Sequence, residues 1–339
     1  MANGSSSPRG GLLCIALAMV GCSAGPLGAG AGDAGASLSP WGPDLELPDP
    51  EGFAGTFLLS ETGLYEDIGD KRVGSDAIAF EPSYPLWTDG ARKRRWLRLP
   101  PDAVVDTTDQ DHWQFPIGTM AFKEFMRDGQ RIETRLIVRT GSGPEDYWMG
   151  AFVWDEHEDD ARFVPGGLPD VRGTDHDVPK VKQCFTCHRG ERGRVLGFSA
   201  VQGTGVDPSA FDALPVPYVP PGDATAVAAL GYLHGNCAHC HNPRGSARPD
   251  TDMNLRLSVT DMSVQDTQTY VTTLSIPLQY FEGSPLQQRV VPGAPGQSGL
   301  LFRMMERGPD TQMPPIGTEL VDPAGLAAVE TWIAGLRSD

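Results

Sequence analysis

The sequence is short of basic residues, of cysteine and of long apolar runs, and each shortage removes a class of explanation. Its 339 residues include 27 Lys and Arg against 44 Asp and Glu, so it offers little with which to neutralise phosphates, which argues against nucleic acid as a partner. The apolar run Leu12–Val20 falls well below the roughly 20 residues that a membrane-spanning helix needs. Six cysteines are too few for a small disulfide scaffold in a chain of this length. No methionine occurs between His188 and Cys237, and no long internal repeat is present. What remains is a globular chain with 40% hydrophobic residues, enough for a substantial core and long enough for about two domains.

Residues 1–21 read as an export segment. A weakly basic start at Arg9 is followed by the apolar run and then by Met19-Val20-Gly21-Cys22. A small residue before cysteine at the end of such a run resembles a bacterial lipoprotein signal, in which the mature chain begins at a lipid-bearing cysteine, here Cys22. Cleavage after Ala24 is the competing reading. Acyl chains on Cys22 would hold the protein at a membrane surface without a spanning helix. Ser23 after the cysteine resembles the usual outer-membrane pattern, so a periplasmic or outer-membrane location is expected. Loss of Arg9 would leave 26 basic residues against 44 acidic ones, a balance suited to a cationic redox partner. Residues 22–50, dominated by Gly, Ala, Ser and Pro, read as a flexible tether.

The remainder divides by texture. Residues 51–180 are β-rich. In Arg131–Arg139, Ile132, Thr134, Leu136 and Val138 share one face, while Arg131, Glu133, Arg135 and Arg139 share the other, as in a half-buried strand. Tyr147–Trp154 is apolar on both faces, and Arg94–Leu99, Thr119–Phe125 and Ala161–Val164 are further candidates. A sandwich or a strongly bent antiparallel sheet would bury these faces. Residues 181–222 form a connecting segment and 223–339 are helical in texture. Asp223 is placed to cap a helix running toward Cys237, and Ser298 one through Leu301 and Met305. Asp322-Pro323 supplies an N-cap and N1 proline before the stripe Leu326, Val329, Ile333 and Leu336. Between them, Asp250–Pro292 reads as loop with short strands. The expected class is therefore α+β, a sandwich-like β-rich part followed by helices.

Four cysteines fall within the globular part, in two pairs of equal spacing: Cys184-Phe185-Thr186-Cys187-His188 and Cys237-Ala238-His239-Cys240-His241. Both match C-x-x-C-H, the attachment pattern of haem c. Cysteines three apart on a helical turn face the same way and can form thioethers with the two vinyl groups of one porphyrin. The adjoining histidine then supplies an imidazole to the iron. Two disulfides, a thiol redox pair or a zinc site built from all four cysteines are the competing readings, and none explains histidine at both fifth positions.

Met313, followed by Pro314-Pro315 and preceding the terminal helix, is the expected sixth ligand of the second haem; a thioether is a soft, neutral ligand that favours reduced iron. Proline restrains the residue before it to extended backbone. Met304 and Met305 are expected to fill core gaps. For the first haem His234 is the leading distal candidate beside its reading as a packing histidine, with Met120, Met126, Met149 and His176 behind it. The metal ligands expected are thus His188, His241, Met313 and His234. Arg92-Lys93-Arg94-Arg95 could dock a partner or haem propionates, but reads first as a solvated strand edge. Asp155–Asp160 lacks the turn spacing of a calcium loop and reads as a hairpin connection. Arg244 and Arg307 are further candidates for pairing with propionates.

Residues 231–236, the second cysteine motif, Met313-Pro314-Pro315 and the terminal helix together resemble a class I cytochrome c domain. In that fold the terminal helices cross beside the haem, which implies a crossing of Asp223–Cys240 with Pro323–Arg337. The 72-residue step from His241 to Met313 is longer than in minimal members and implies an insertion. More broadly, Leu59–Leu64, Leu86–Ala91, Phe115–Thr119, Ile132–Leu136, both cysteine motifs and Val291-Pro292-Gly293 resemble a bacterial family of exported dihaem c-type cytochromes, often encoded beside parallel β-helix proteins. The resemblance implies two covalent haems and electron transfer with redox proteins, such as an exported dehydrogenase or another cytochrome. It brings no assigned distal ligand for the first haem. An enzyme of dihaem peroxidase or oxidase type, with the first haem open to substrate, is the alternative expectation.

Overall fold

Alternation of side-chain type generates the strands, as expected. In the computed structural model, which describes residues 45–337 except 204, 206, 280–284 and 309, β1 (Tyr65–Asp67) and β2 (Arg72–Val73) form a small antiparallel pair. A six-stranded antiparallel sheet follows, with β3 (Ile78–Ala79), β4 (Arg92–Arg98), β5 (Met120–Arg127), β6 (Gln130–Arg139), β7 (Tyr147–Trp154) and β8 (Ala161–Phe163) in chain order. Each strand pairs with its chain neighbour, so the sheet is a meander built from local hairpins. All five expected strands are present to within two residues. The expected export segment, the expected lipid site Cys22 and most of the expected tether lie outside the described residues.

Among the described residues no second large sheet faces this one, as a full sandwich would have. The small β1–β2 pair contributes Tyr65 to the cover of one face, and loops and short helices deliver the other covering side chains. On one face Phe122, Leu136 and Phe152 pack with Phe57, Leu59 and Trp148, with the ring of Phe57 lying 5.5 Å from that of Phe152. On the other, Phe80, Trp113, Phe115, Phe198 and Phe211 gather over Leu97 and Ala121. The polar side of β6 therefore departs from expectation: Glu133 is fully buried, with Arg135 bonded to both of its oxygens and His176 Nε2 2.6 Å away. What the alternation marks as a solvated face is covered by the chain that follows the sheet. Asp155 behaves as expected of a hairpin residue, its carboxylate accepting backbone N–H bonds from His157, Asp159 and Asp160.

Helices follow: α1 (Val181–His188), α2 (Ala224–Asn236), α3 (Gln268–Thr273), α4 (Gly299–Met305) and α5 (Pro323–Gly335). Mixed α+β architecture is thus observed. Asp223 caps α2 through Ala226 N–H, and Asp322 caps α5 through Ala324 and Gly325 N–H. Ser298 precedes α4 as expected, but its hydroxyl serves the loop before it, accepting from Val291 N–H and donating to Ala294 O. α3, with Thr267 as its cap, lies inside the stretch read as loop and short strands; its six residues carry too little periodicity to announce a helix. Leu230 and Leu233 of α2 bury against Leu301 of α4 and against Val329, Trp332 and Ile333 of α5. α2 and α5 come so close that a Cβ on Gly325 would stand 2.0 Å from the Tyr232 ring. That close crossing depends on glycine.

The described residues fall within one compact unit. The segment Tyr84–Asp89 ties sheet to helices within it. Tyr84 lies against Gly231 and Gly235 of α2, Trp87 N–H donates to Asn236 Oδ1 at 2.6 Å, and the buried Asp89 accepts from Glu319 and Leu320 N–H. Among the described residues no helix is long and apolar enough to cross a membrane.

Candidate functional site

Both cysteine motifs open onto clefts. Cys184 and Cys187 lie one turn apart in α1, with His188 at its last position. Lys180 is the N-cap of α1 and its N–H donates to Gln183 Oε1; none of the helix's residues is fully buried. That first cleft, of about 120 Å³, is lined by Cys184, Cys187 and His188 facing Lys123, Arg135 and Met149 of the sheet. The second motif takes over where α2 ends. Cys237 is the C-cap of α2, and the chain makes one further turn, with His241 N–H donating to Cys237 O at 2.9 Å. Cys237, Cys240 and His241 line a cleft of about 340 Å³ together with Tyr232, Met304 and Met313. The four thiols are free, with no disulfide among the described residues.

Each histidine beside a motif is prepared as a neutral donor. His188, the last residue of α1, faces the sheet across the first cleft, and its Nδ1 stands 2.6 Å from Arg194 O. With its proton committed there, Nε2 keeps a free lone pair toward the cleft. The carbonyl is held in place by its own side chain: Arg194, in left-handed backbone conformation, donates to Pro144 O and Arg189 O and pairs with Glu145 at 2.6 Å. His241 is 8% exposed, and its Nδ1 is buried without a hydrogen-bond partner. Burial pushes the pKa of both imidazoles down to about 4, so both are neutral at ordinary pH.

Met313 is brought to the second cleft as its sequence context suggests. Its N–H donates to Arg303 O at 2.9 Å, Arg303 Nε donates to Thr311 O, and Arg307 Nη1 reaches Met313 O at 3.3 Å. The loop is thereby fastened to the end of α4. Arg307 lines the cleft, whereas Arg244 is exposed and lines neither.

His234 does not belong with this set. It lines neither cleft, and its Nδ1 accepts the Leu257 N–H at 3.0 Å. The remaining proton of a neutral imidazole must then sit on Nε2, leaving no lone pair for a metal. Burial drives its pKa down to about 3, as for a packing histidine. Of the weaker candidates, Met120 is buried on the far face of the sheet and His176 is held by Glu133. Only Met149 lines the first cleft.

The two clefts share a wall. Thr186 of the first motif lines the second cleft and Gly235 lines the first. Cys240 Sγ lies 3.6 Å from Thr186 O, and the backbones approach so closely that a Cβ on Gly190 would stand 2.0 Å from His239 O. Cys187, His239 and Cys240 offer donor atoms within 4.8 Å of one another. Cys184 and Cys237 face separate clefts, so the four cysteines do not converge as a single zinc site requires. Two contributors escaped the sequence reading. The segment Tyr84–Trp87 lines both clefts; its sequence carries only a family likeness, with no chemistry to announce a role. Lys123 and Arg135 look like ordinary solvated strand charges until the covered face is known, and they stand beside Arg95, which belongs to the run Arg92–Arg95 read first as a solvated edge.

Comparison of the chain with family models, with curated proteins and with solved structures finds no match.

Proposed function

We propose that the chain is an exported dihaem c-type cytochrome, anchored through a lipid on Cys22, that carries electrons between redox proteins at the periplasmic or outer-membrane surface. The observation carrying this reading is that each C-x-x-C-H motif presents both cysteines and its histidine to a cleft of its own. Haem supplies reversible one-electron chemistry; the chain supplies attachment, ligation and shelter. Cys184 with Cys187, and Cys237 with Cys240, would hold the two groups by thioethers. His188 fits the proximal role through its committed Nδ1 and free Nε2. His241 fits by its burial and neutral imidazole. Met304 and Met313 both line the second site, and Met313 is the soft donor proposed as its ligand. Packing of α2 on α5 beside the second cleft agrees with the helix crossing that a class I cytochrome c domain implies. The shared wall keeps the two groups in neighbouring clefts, an arrangement suited to passing single electrons through one molecule.

Production in a host competent for haem attachment tests the reading. The purified protein should gain the mass of two haems, and Cys184→Ala/Cys187→Ala and Cys237→Ala/Cys240→Ala should each remove one. Colourless protein of unmodified mass would overturn it. Two specific observations favour second readings. The proximity of Cys187, His239 and Cys240 suits a zinc-type centre, which stoichiometric zinc in protein without added haem mass would establish. Among the described residues lining the first cleft, His188 is the only histidine, which suits a peroxidase-type open position. A high-spin first centre whose spectrum responds to peroxide would replace the carrier by that enzyme.

A further inference from the structure

Three cations cross the sheet in a single row. Arg95 of β4 is the register partner of Lys123 of β5, which is in turn the partner of Arg135 of β6. All three side chains line the first cleft. Directly opposed like charges destabilise a sheet, and charges removed from water are costly unless paired. Yet Arg95 is only 7% exposed. Arg135 has Glu133, but among the described residues neither Arg95 nor Lys123 forms an ion pair. Lys123 rests its ammonium 4.9 Å from the Phe125 ring centroid, a contact that does nothing to neutralise it. Burial, and then the neighbouring Arg95 and Arg135, hold its pKa far below the ordinary ammonium value, so its charged form is favoured once an anion is bound beside it. In a chain with 27 basic against 44 acidic residues, two basic side chains without an ion-pair contact against one cleft floor are a specific placement, Glu81 acting on Arg95 only from beyond salt-bridge distance.

We infer that Arg95, Lys123 and Arg135 form a carboxylate or small-oxyanion site facing Cys184, Cys187 and His188, occupied by the propionates of the first haem or by a free anion. The inference rests on the dihaem reading above. Guanidinium groups suit this role because their planar fork matches a carboxylate with two parallel hydrogen bonds, while Lys123 adds a point charge between them. Glu133 orients Arg135 from behind through both carboxylate oxygens, and the row's remaining charge is left for a ligand.

The test uses the full-length dihaem protein and two variants, Lys123→Met and Arg95→Met, each of which removes one cation while keeping most of the side-chain volume. Haem content by mass is measured first, and fewer than two haems in the wild type would sink the functional reading rather than this one. With two haems attached, spectroelectrochemistry should show the first centre's midpoint shifted downward in each variant with the second unmoved, because a nearby cation favours the more negative reduced form. Lys123→Arg, which retains the charge, should restore the wild-type value. Titration with nitrate and phosphate then separates the sources. An unresponsive first-haem spectrum with shifted midpoints assigns the row to the propionates. A saturable spectral response lost in Lys123→Met assigns it to a free anion. Unchanged midpoints in both variants, with no anion response in the wild type, would overturn the inference.

Discussion

The two cysteine motifs are alike in pattern and stand in unlike surroundings. The first faces a β-sheet whose side chains include Arg95, Lys123 and Arg135, with Met149 as the one thioether lining its cleft. The second is enclosed by helices and by a loop that carries Met313 to its cleft. Five residues thus fix how a group could be attached, and the opposite wall fixes what that group experiences. In the proposed dihaem protein a cationic floor beside one site and a neutral sulfur donor at the other give the molecule two dissimilar redox centres. The shared wall at Thr186, Gly190, Gly235 and His239 keeps those unlike environments adjacent.

Substitutions can break that contrast or sharpen it. The largest effect is expected from Met313→Ala, which should remove a ligand outright: the second centre's absorption and paramagnetic resonance signals change to those of iron lacking the thioether, and its potential falls, while the first centre's signals stay in place. An unchanged second centre would show that the loop's methionine is packing alone. Next, Glu133→Ala should strike the sheet side only. It leaves Arg135 and His176 in a buried site without their shared partner, and denaturant unfolding should register a loss of about 3–5 kcal/mol.

Acid should separate the regions further. Burial lowers the pKa of His234, in the helical part, to about 3, so between pH 6.5 and that value the unfolded chain binds the proton that the folded chain refuses. Stability from this group is therefore complete above pH 6.5 and declines on acidification, by about 1.4 kcal/mol per pH unit inside the window. On the sheet side burial alone would raise Glu133, but Arg135 and His176 outweigh it and hold the carboxyl below its ordinary range. Its contribution is present above the unfolded carboxylate pKa and is lost only as pH falls through the depressed folded value. Chemical denaturation at a series of pH values should then show His234→Gln flattening the slope above pH 5 and Glu133→Gln leaving it unaltered. The smallest effect is reserved for Asp322→Ala, which removes the N-cap of α5 and should cost about 1 kcal/mol by the same measurement, with no change at the first centre.

Much of the local structure was legible along the chain. Period-two alternation and short apolar runs located five of the strands, and Asp223 and Asp322 marked the starts of α2 and α5, because these signals arise between residues close in sequence. The two motifs were legible for the same reason: Cys184 with His188, and Cys237 with His241, lie within one helical turn. Met313 was within reach because its proline context is local too. His234 misled because its position three residues before Cys237 suggested a ligand, whereas the bond that fixes its tautomer comes from Leu257, 23 residues away. The strand pattern left a sandwich and a bent single sheet both open, because the covers are mostly loops, whose packing leaves no period in the sequence.

Sequence alone determined the two attachment-type motifs, the α+β content and the acidic balance, since each is a property of neighbouring residues or of composition. Tertiary structure decided which charges are buried, that Arg95, Lys123 and Arg135 stand in one row, and that the two clefts share a wall. Those outcomes depend on strand register and on backbone approaches between distant segments. A residue's own identity does not carry that information, because the same arginine is a solvated edge or a buried anion site according to what the rest of the chain lays over it.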